Sequence, residues 1–180
     1  MGEVPLTLSG WSSADAAQVR DQLGRVPRGV VGVAARTHAG DVAVVATAPR
    51  LDDGSPFPTT FYLTHPHLVK LVSTLEATGA MSEYQRRLDD PDRARAYRDA
   101  HETYIRQRAE IGRIAGIAEV AEIAGISAGG MPERVKCLHA LVAHALASGP
   151  GINPVGDDVL RRLAREGTWK QPGWSEEELS

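Results

Sequence analysis

The spacing of apolar and polar residues changes near residue 66, and this change divides the chain into two kinds of structure. Before it, two apolar runs, VVGVAAR and VAVVATA, flank the turn-forming stretch His38-Ala39-Gly40-Asp41. Such a pattern predicts a β-hairpin. A loop of turn formers, LDDGSPFP, then leads into a third short run, TTFYLT, which is rich in β-forming residues. The first third of the chain is therefore expected to form a small antiparallel three-stranded sheet.

Helical spacing dominates after this point, and one helix is also expected before the hairpin. The predicted helix starts each carry a capping residue or a proline. They are Ser12 or Ser13, Thr64 with Pro66, Pro91, Pro132, and Asp157 or Asp158. With shorter segments included, the chain is expected to contain five or six helices. The predicted fold class is α+β, as a single domain over residues 1–180, a usual length for one domain.

A three-residue repeat interrupts the helical pattern. Isoleucine or valine recurs at every third residue from Ile114 to Ile126. Because a helix advances about 100° per residue, such a repeat drifts about 60° at each step and cannot form one face. We interpret residues 113–130 as a low-complexity insertion, helical at best and without chemistry.

Composition and charge exclude several classes of function. A net charge of -3 gives no electrostatic bias toward nucleic acid or an anionic membrane. No apolar run approaches the roughly 20 residues that span a bilayer, and the stretch MGEVPLTLSG has none of the features of a signal peptide. The single cysteine, Cys137, cannot form an intrachain disulfide, which indicates a reducing compartment. A cytoplasmic protein that binds neither nucleic acid nor membrane is expected.

The helix that begins at Pro91 has one mixed aromatic and polar face. Its members are separated by four and three residues: Tyr97, His101, Tyr104, Arg108 and Ile111. Two interpretations remain open, since this face over residues 93–112 can pack against the rest of the domain or engage a helical partner protein.

Residues that could carry chemistry concentrate in GMPERVKCLHALVAHALASGPGINPVGD, residues 130–157. On a helix that starts at Pro132, Cys137 and His144 share a side but stand about 10 Å apart along the axis. His139 and His144 diverge by roughly 140°, too far for a two-histidine metal site. These residues are therefore either structural or one half of a composite site.

The composite site is predicted between the 50–59 loop and the 132–148 helix, where it would bind a small anionic ligand. Arg50 and Lys136 would supply positive charge, and His139 would transfer a proton near neutral pH. Asp52 would hold a cation or orient an arginine, and Asn153 is a further ligand-binding candidate. A metal site is an alternative, with His65, Cys137 and one more histidine as ligands. No particular cofactor or reaction follows from these residues.

Three segments resemble an uncharacterised bacterial family, domain of unknown function 501, which is common in actinobacteria. They are LGRVPRGVVGVAAR, TAPRLDDGSPFPTTFYLTHP and the 130–157 stretch. Members often carry a Cys-Pro-x-Gly turn in the first hairpin, whereas this chain has Thr37-His38-Ala39-Gly40, so a thiol is missing there. The resemblance implies no established activity. The genes of the family often lie near that of a septum-formation protein, which implies at most a partner linked to cell division.

Overall fold

The predicted hairpin forms the centre of the fold in the computed structural model, which describes residues 6–175. Strand β1 (Val30–Arg36) pairs antiparallel with β2 (Val42–Thr47), and β2 pairs antiparallel with β3 (Phe61–Leu63). The sheet order is β1-β2-β3, so β3 is an edge strand and every residue of β2 is buried. The first half of the MGEVPLTLSG stretch lies outside the described residues.

Helices pack on both faces of this sheet, which confirms the α+β fold class. Within residues 6–175 they are α1 (Ser13–Leu23), α2 (Pro66–Ala77), α3 (Ala80–Arg87), α4 (Pro91–Ile114), α5 (Leu138–Ser148) and α6 (Pro154–Arg165). Val19 of α1 packs against β1 and β2 on one face of the sheet. Side chains of the other helices form the main core on the opposite face. The sheet is therefore enclosed between α1 and the helical layer.

Two of the predicted helix caps are wrong, because other hydrogen bonds are formed at these helix starts. Thr64 does not cap α2, because its N–H donates to the Ala43 carbonyl and so continues the sheet; His65 is the N-cap residue. The cap of α6 is Asn153 rather than Asp157 or Asp158, since its Oδ1 accepts the Gly156 N–H at 2.9 Å. The prediction for α1 is confirmed, with Ser12 as its N-cap residue.

Helix α5 begins at Leu138 and not at Pro132, so the predicted 132–148 helix is too long at its start. A helix from Pro132 would join the Leu138 N–H to the Arg134 carbonyl. Instead, the Tyr97 hydroxyl donates to that carbonyl at 2.9 Å, and the Leu138 N–H donates to the Glu76 carboxylate at 2.7 Å. Contacts with α4 and α2 thus replace the first turn, and they leave Cys137 as the extended N-cap residue of α5.

The mixed face of α4 packs inside the domain. Tyr97, Tyr104 and Ile111 are fully buried, while His101 and Arg108 keep 9% and 5% of their surface exposed. Of the two interpretations left open by the sequence, the structure shows the first: this face packs against the rest of the domain. A partner helix could reach these side chains only if the domain opened.

Arg108 holds the segment that follows α4. Its guanidinium donates to the carbonyl of Ile123 at 2.8 Å and to that of Ile126. The isoleucine repeat forms no continuous helix: α4 ends at Ile114 and one 3-10 turn covers Ala121–Ile123. Val120 and Ile123 are nonetheless buried, so Arg108 fastens an irregular segment to the domain.

We expect Arg108→Met to lower the free energy of unfolding by about 1–3 kcal/mol, because it removes two hydrogen bonds from a buried guanidinium to backbone carbonyls. Amide hydrogen exchange in residues 115–130 should accelerate as well. The matched control is Arg113→Met, which removes an exposed ion pair with Glu110 and should change the free energy by less than about 0.5 kcal/mol. Equal effects of the two substitutions would contradict the assigned role.

Candidate functional site

The charged residues predicted for an anion site do not converge. Arg50 lies in a surface turn, where it donates to the Gly54 carbonyl at 2.6 Å and pairs with Glu122 at 2.7 Å. Asp52 is exposed in the same turn, and the neighbouring Asp53 pairs with Arg28 at 2.9 Å. The positive charge of Arg50 is thus directed at the 115–130 segment and not at α5.

The remaining predicted residues lie in three different environments. Lys136 is exposed just before α5. Asn153 is fully buried, where its amide donates toward Nδ1 of His144 at 3.1 Å while it caps α6. His65 packs edge-on against Trp169, with ring centroids 5.0 Å apart. Of the seven residues predicted for a ligand or metal site, Cys137 and His139 are the pair that the structure brings together at an accessible position.

Glu76 completes a cluster with Cys137 and His139. Each residue offers one ligand atom: the thiol sulfur, an imidazole nitrogen and a carboxylate oxygen. These three atoms lie within 4.8 Å of one another. The carboxylate of Glu76 is 3.2 Å from Nδ1 of His139. Each of the three side chains is partly buried, so the cluster is held by the fold and still accessible.

Both nitrogens of His139 face hydrogen-bond acceptors. Nδ1 faces the Glu76 carboxylate, while Nε2 lies 3.2 Å from the Val69 carbonyl and 3.1 Å from the Ser73 hydroxyl. A carbonyl and a carboxylate accept but do not donate, so a doubly protonated imidazolium satisfies both positions. The arrangement therefore fixes the ring and favours its charged form.

The contact between Cys137 and His139 shifts the pKa values of both residues, in opposite directions. A hydrogen bond with His139 lowers the pKa of the Cys137 thiol, and the Ala140 N–H in the first turn of α5 lowers it further, while burial and the negative charge of Glu76 raise it. The hydrogen bond with Cys137 raises the pKa of His139, and the negative charge of Glu76 acts in the same direction. Both shifts favour a thiolate beside an imidazolium, which is the arrangement of an activated cysteine.

A cavity of about 350 Å³ opens beside this cluster, next to the edge strand β3. Its apolar lining is Leu23, Phe61, Tyr62, Leu63, Val69 and Ala140, and its polar lining is Thr59, Cys137 and His139. Thr59 belongs to the end of the proline-rich loop, so this loop and the start of α5 border one cavity. An apolar cavity of this size with a few convergent polar groups is typical of a small-molecule site.

A larger depression, of about 710 Å³, lies between the start of α2 and α1. His65, His67 and Asp41 are among its lining residues. It is a broad, open surface feature, so a small molecule there would remain largely in contact with water. We therefore place the candidate site at the smaller cavity, which is more enclosed and adjoins the cysteine–histidine–glutamate cluster.

The sequence contained little that could reveal Glu76. It lies in the last turn of α2, 61 residues before Cys137, and no spacing rule joins the two. Its one distinguishing feature is that it is the only acidic residue in α2. The position of Cys137 was missed for a related reason, since α5 was expected to start earlier and to carry the thiol in its interior.

Comparison with known proteins gives one positive finding. The family described as "Protein of unknown function (DUF501)" matches residues 33–161, from β1 to within α6. No curated protein and no solved structure matches the chain. Within residues 6–175, none of the helices combines the length and the apolar character needed to cross a bilayer.

Proposed function

This chain belongs to the DUF501 family of proteins of unknown function, and we propose that it binds a small molecule in the cavity beside Cys137 and His139. The observation that carries the proposal is the contact between the two parts of the site. An apolar cavity of about 350 Å³ ends at a cluster that contains a thiol, an imidazole and a carboxylate. The bound molecule would have an apolar body and a polar head group that reaches His139 and Cys137.

The ligand predicted from the sequence was anionic, and its negative charge would lie on this head group. Arg50 and Lys136 do not line the cavity, and the charged groups beside it are His139 and Glu76. The imidazolium of His139 attracts an anion, but the adjacent carboxylate of Glu76 opposes it. In the protein alone, a neutral polar head group should therefore bind at least as well as an anionic one. We also propose that the protein works in the reducing cytoplasm, because its single thiol belongs to this site and would stay reduced there.

Titration with hexan-1-ol, followed by amide chemical shifts in NMR, tests this function. The alcohol supplies a flexible apolar body and a neutral polar head, and its shifts should concentrate at cavity residues such as Leu63, Val69 and Ala140. In Ala140→Met the new side chain fills the cavity, so the affinity should fall about tenfold or more.

The matched control is Ala147→Met, which introduces the same side chain on α5 about two turns beyond the cavity. Its affinity for hexan-1-ol should equal that of the unmodified protein. Shifts spread evenly over the surface, or an equal loss of affinity in both variants, would contradict the proposed site.

A further inference from the structure

We propose that Glu76, Cys137 and His139 bind a zinc ion, which leaves one coordination position directed at the ligand cavity. This inference deepens the proposed function, since it supplies the group that would hold the head of the bound molecule. Three protein ligands with a fourth position open to small molecules are characteristic of catalytic rather than structural zinc sites. Thiolate, imidazole and carboxylate are all zinc ligands, whereas magnesium and calcium prefer sites made of oxygen alone.

The hydrogen bonds of His139 are those expected of a metal-binding histidine. Its Nε2 donates to the Val69 carbonyl at 3.2 Å, which keeps the proton on that nitrogen. Nδ1 can then coordinate, and it is the nitrogen that faces Glu76. A backbone carbonyl that holds the second nitrogen of a ligating histidine fixes both its tautomer and its orientation.

Glu76 is held in place by the backbone that carries the other two ligands. Its Oε1 accepts a hydrogen bond from the Leu138 N–H at 2.7 Å. Because Leu138 lies between Cys137 and His139 in the sequence, this bond holds the carboxylate next to both residues. A carboxylate has about four lone-pair sites, so one hydrogen bond leaves capacity for a metal ion. Cys137 adopts an extended backbone, with φ of -150°, before α5 begins. The three ligands therefore come from two helix ends that the fold has already joined.

A cation at this position also fits the chemistry of its ligands. A thiolate and a carboxylate next to each other repel, and a divalent ion between them removes this repulsion. With a divalent ion and a neutral imidazole, the cluster becomes neutral and has an electrophilic centre. Such a centre would accept an anionic head group, the class of ligand for which Arg50 and Lys136 are wrongly placed.

Binding of cobalt(II) as a spectroscopic substitute for zinc tests the inference, with untagged protein that has first been treated with a chelator. We expect one cobalt ion per chain, with a thiolate-to-cobalt charge-transfer band and the strong visible absorption of tetrahedral geometry. Stoichiometric zinc should then abolish both signals. The titration uses the metal alone, so it does not depend on hexan-1-ol binding.

Single substitutions identify the ligands. Cys137→Ser should remove the charge-transfer band. Glu76→Gln, which keeps an oxygen to accept the Leu138 N–H, should weaken cobalt binding by at least about 100-fold, because even the loss of an outer-shell partner costs about 10–100-fold. His65→Asn is the control: His65 lies at the start of α2, outside the cluster, and its loss should leave spectrum and affinity unchanged. Thermal unfolding without metal checks that each variant folds.

The outcomes separate the two proposals. If cobalt binds without a charge-transfer band, or binds equally well to Cys137→Ser, or fails to bind, the zinc inference is wrong even when hexan-1-ol still occupies the cavity. If the metal binds through the three residues but hexan-1-ol does not bind, the inference stands and the proposed function fails. If both proposals are correct, the protein without zinc should bind hexanoate no more tightly than hexan-1-ol. After zinc is added, it should bind hexanoate more tightly than hexan-1-ol.

Discussion

Replacing Gly156 by alanine is expected to lower the free energy of unfolding by about 3 kcal/mol, the upper end of the usual range for an overpacked core. Gly156 lies in the first turn of α6, where this helix crosses α5. A Cβ atom there would stand 2.3 Å from the Leu141 carbonyl oxygen and 2.7 Å from the Cβ of Ala145. The carbonyl belongs to the backbone of α5, so no rotation of a side chain relieves the overlap, and the two helices have to separate.

Equilibrium unfolding in urea measures this loss. The intrinsic preference of a helix for alanine over glycine, about 1 kcal/mol, acts in the opposite direction. A stabilised Gly156→Ala protein would therefore show that the helices do not approach as closely as the structure places them. Gly10→Ala is the control, because the added Cβ would meet no atom within 4 Å apart from those of its chain neighbours, and a change of less than about 0.5 kcal/mol is expected.

The parts of the fold that could be predicted from sequence are those determined by local pattern. The hairpin follows from two β-branched runs around a turn that contains Gly40, whose φ is 94°. Helix α1 follows from the Ser12 cap, and α4 from Pro91 after Asp90, whose side chain caps it. In each case the decisive hydrogen bonds join residues a few positions apart, so the sequence itself contains the signal.

The site could not be predicted in the same way, because it depends on contacts between distant segments. Pro132 is a valid helix-start signal, yet Tyr97 and Glu76 remove the partners that the first turn would need. The shift of the helix start by six residues moves Cys137 from a helix interior to a helix end. It also brings His139 to Glu76. A sequence reading that treats α5 alone therefore finds the correct residue types but neither their geometry nor their third partner.

The buried His144 is expected to make the protein lose stability as the pH falls below about 6.5. Its side chain is fully buried between Phe61 and Tyr104. Its Nδ1 accepts a hydrogen bond from the Asn153 amide, and its Nε2 donates one to the Gln107 side-chain oxygen. None of these partners carries a charge. Burial accordingly lowers the pKa of His144 from 6.5 to about 3, and the ring stays neutral in the folded protein.

The direction of the effect follows from proton uptake in the two states. Below pH 6.5 the unfolded chain protonates this histidine, while the folded chain does so only near pH 3. The contribution of His144 is therefore complete above pH 6.5 and is lost toward pH 3, by about 1.4 kcal/mol per pH unit. Between pH 7.5 and 4.5 the loss is expected to approach 3 kcal/mol, a large part of the stability of an ordinary domain.

His144→Gln isolates this contribution, because it retains hydrogen-bonding groups but cannot titrate. Replacing the ring should itself lower the stability at pH 7.5, by about 2 kcal/mol or more from lost packing. The informative quantity is the difference between the two proteins in urea unfolding at several pH values. This difference should shrink steadily from pH 6.5 to 4.5, since His65, His139 and the carboxylates titrate in both proteins and cancel. A difference that stays constant over this range would mean that His144 is not held neutral, and that its pocket admits either water or a counter-charge.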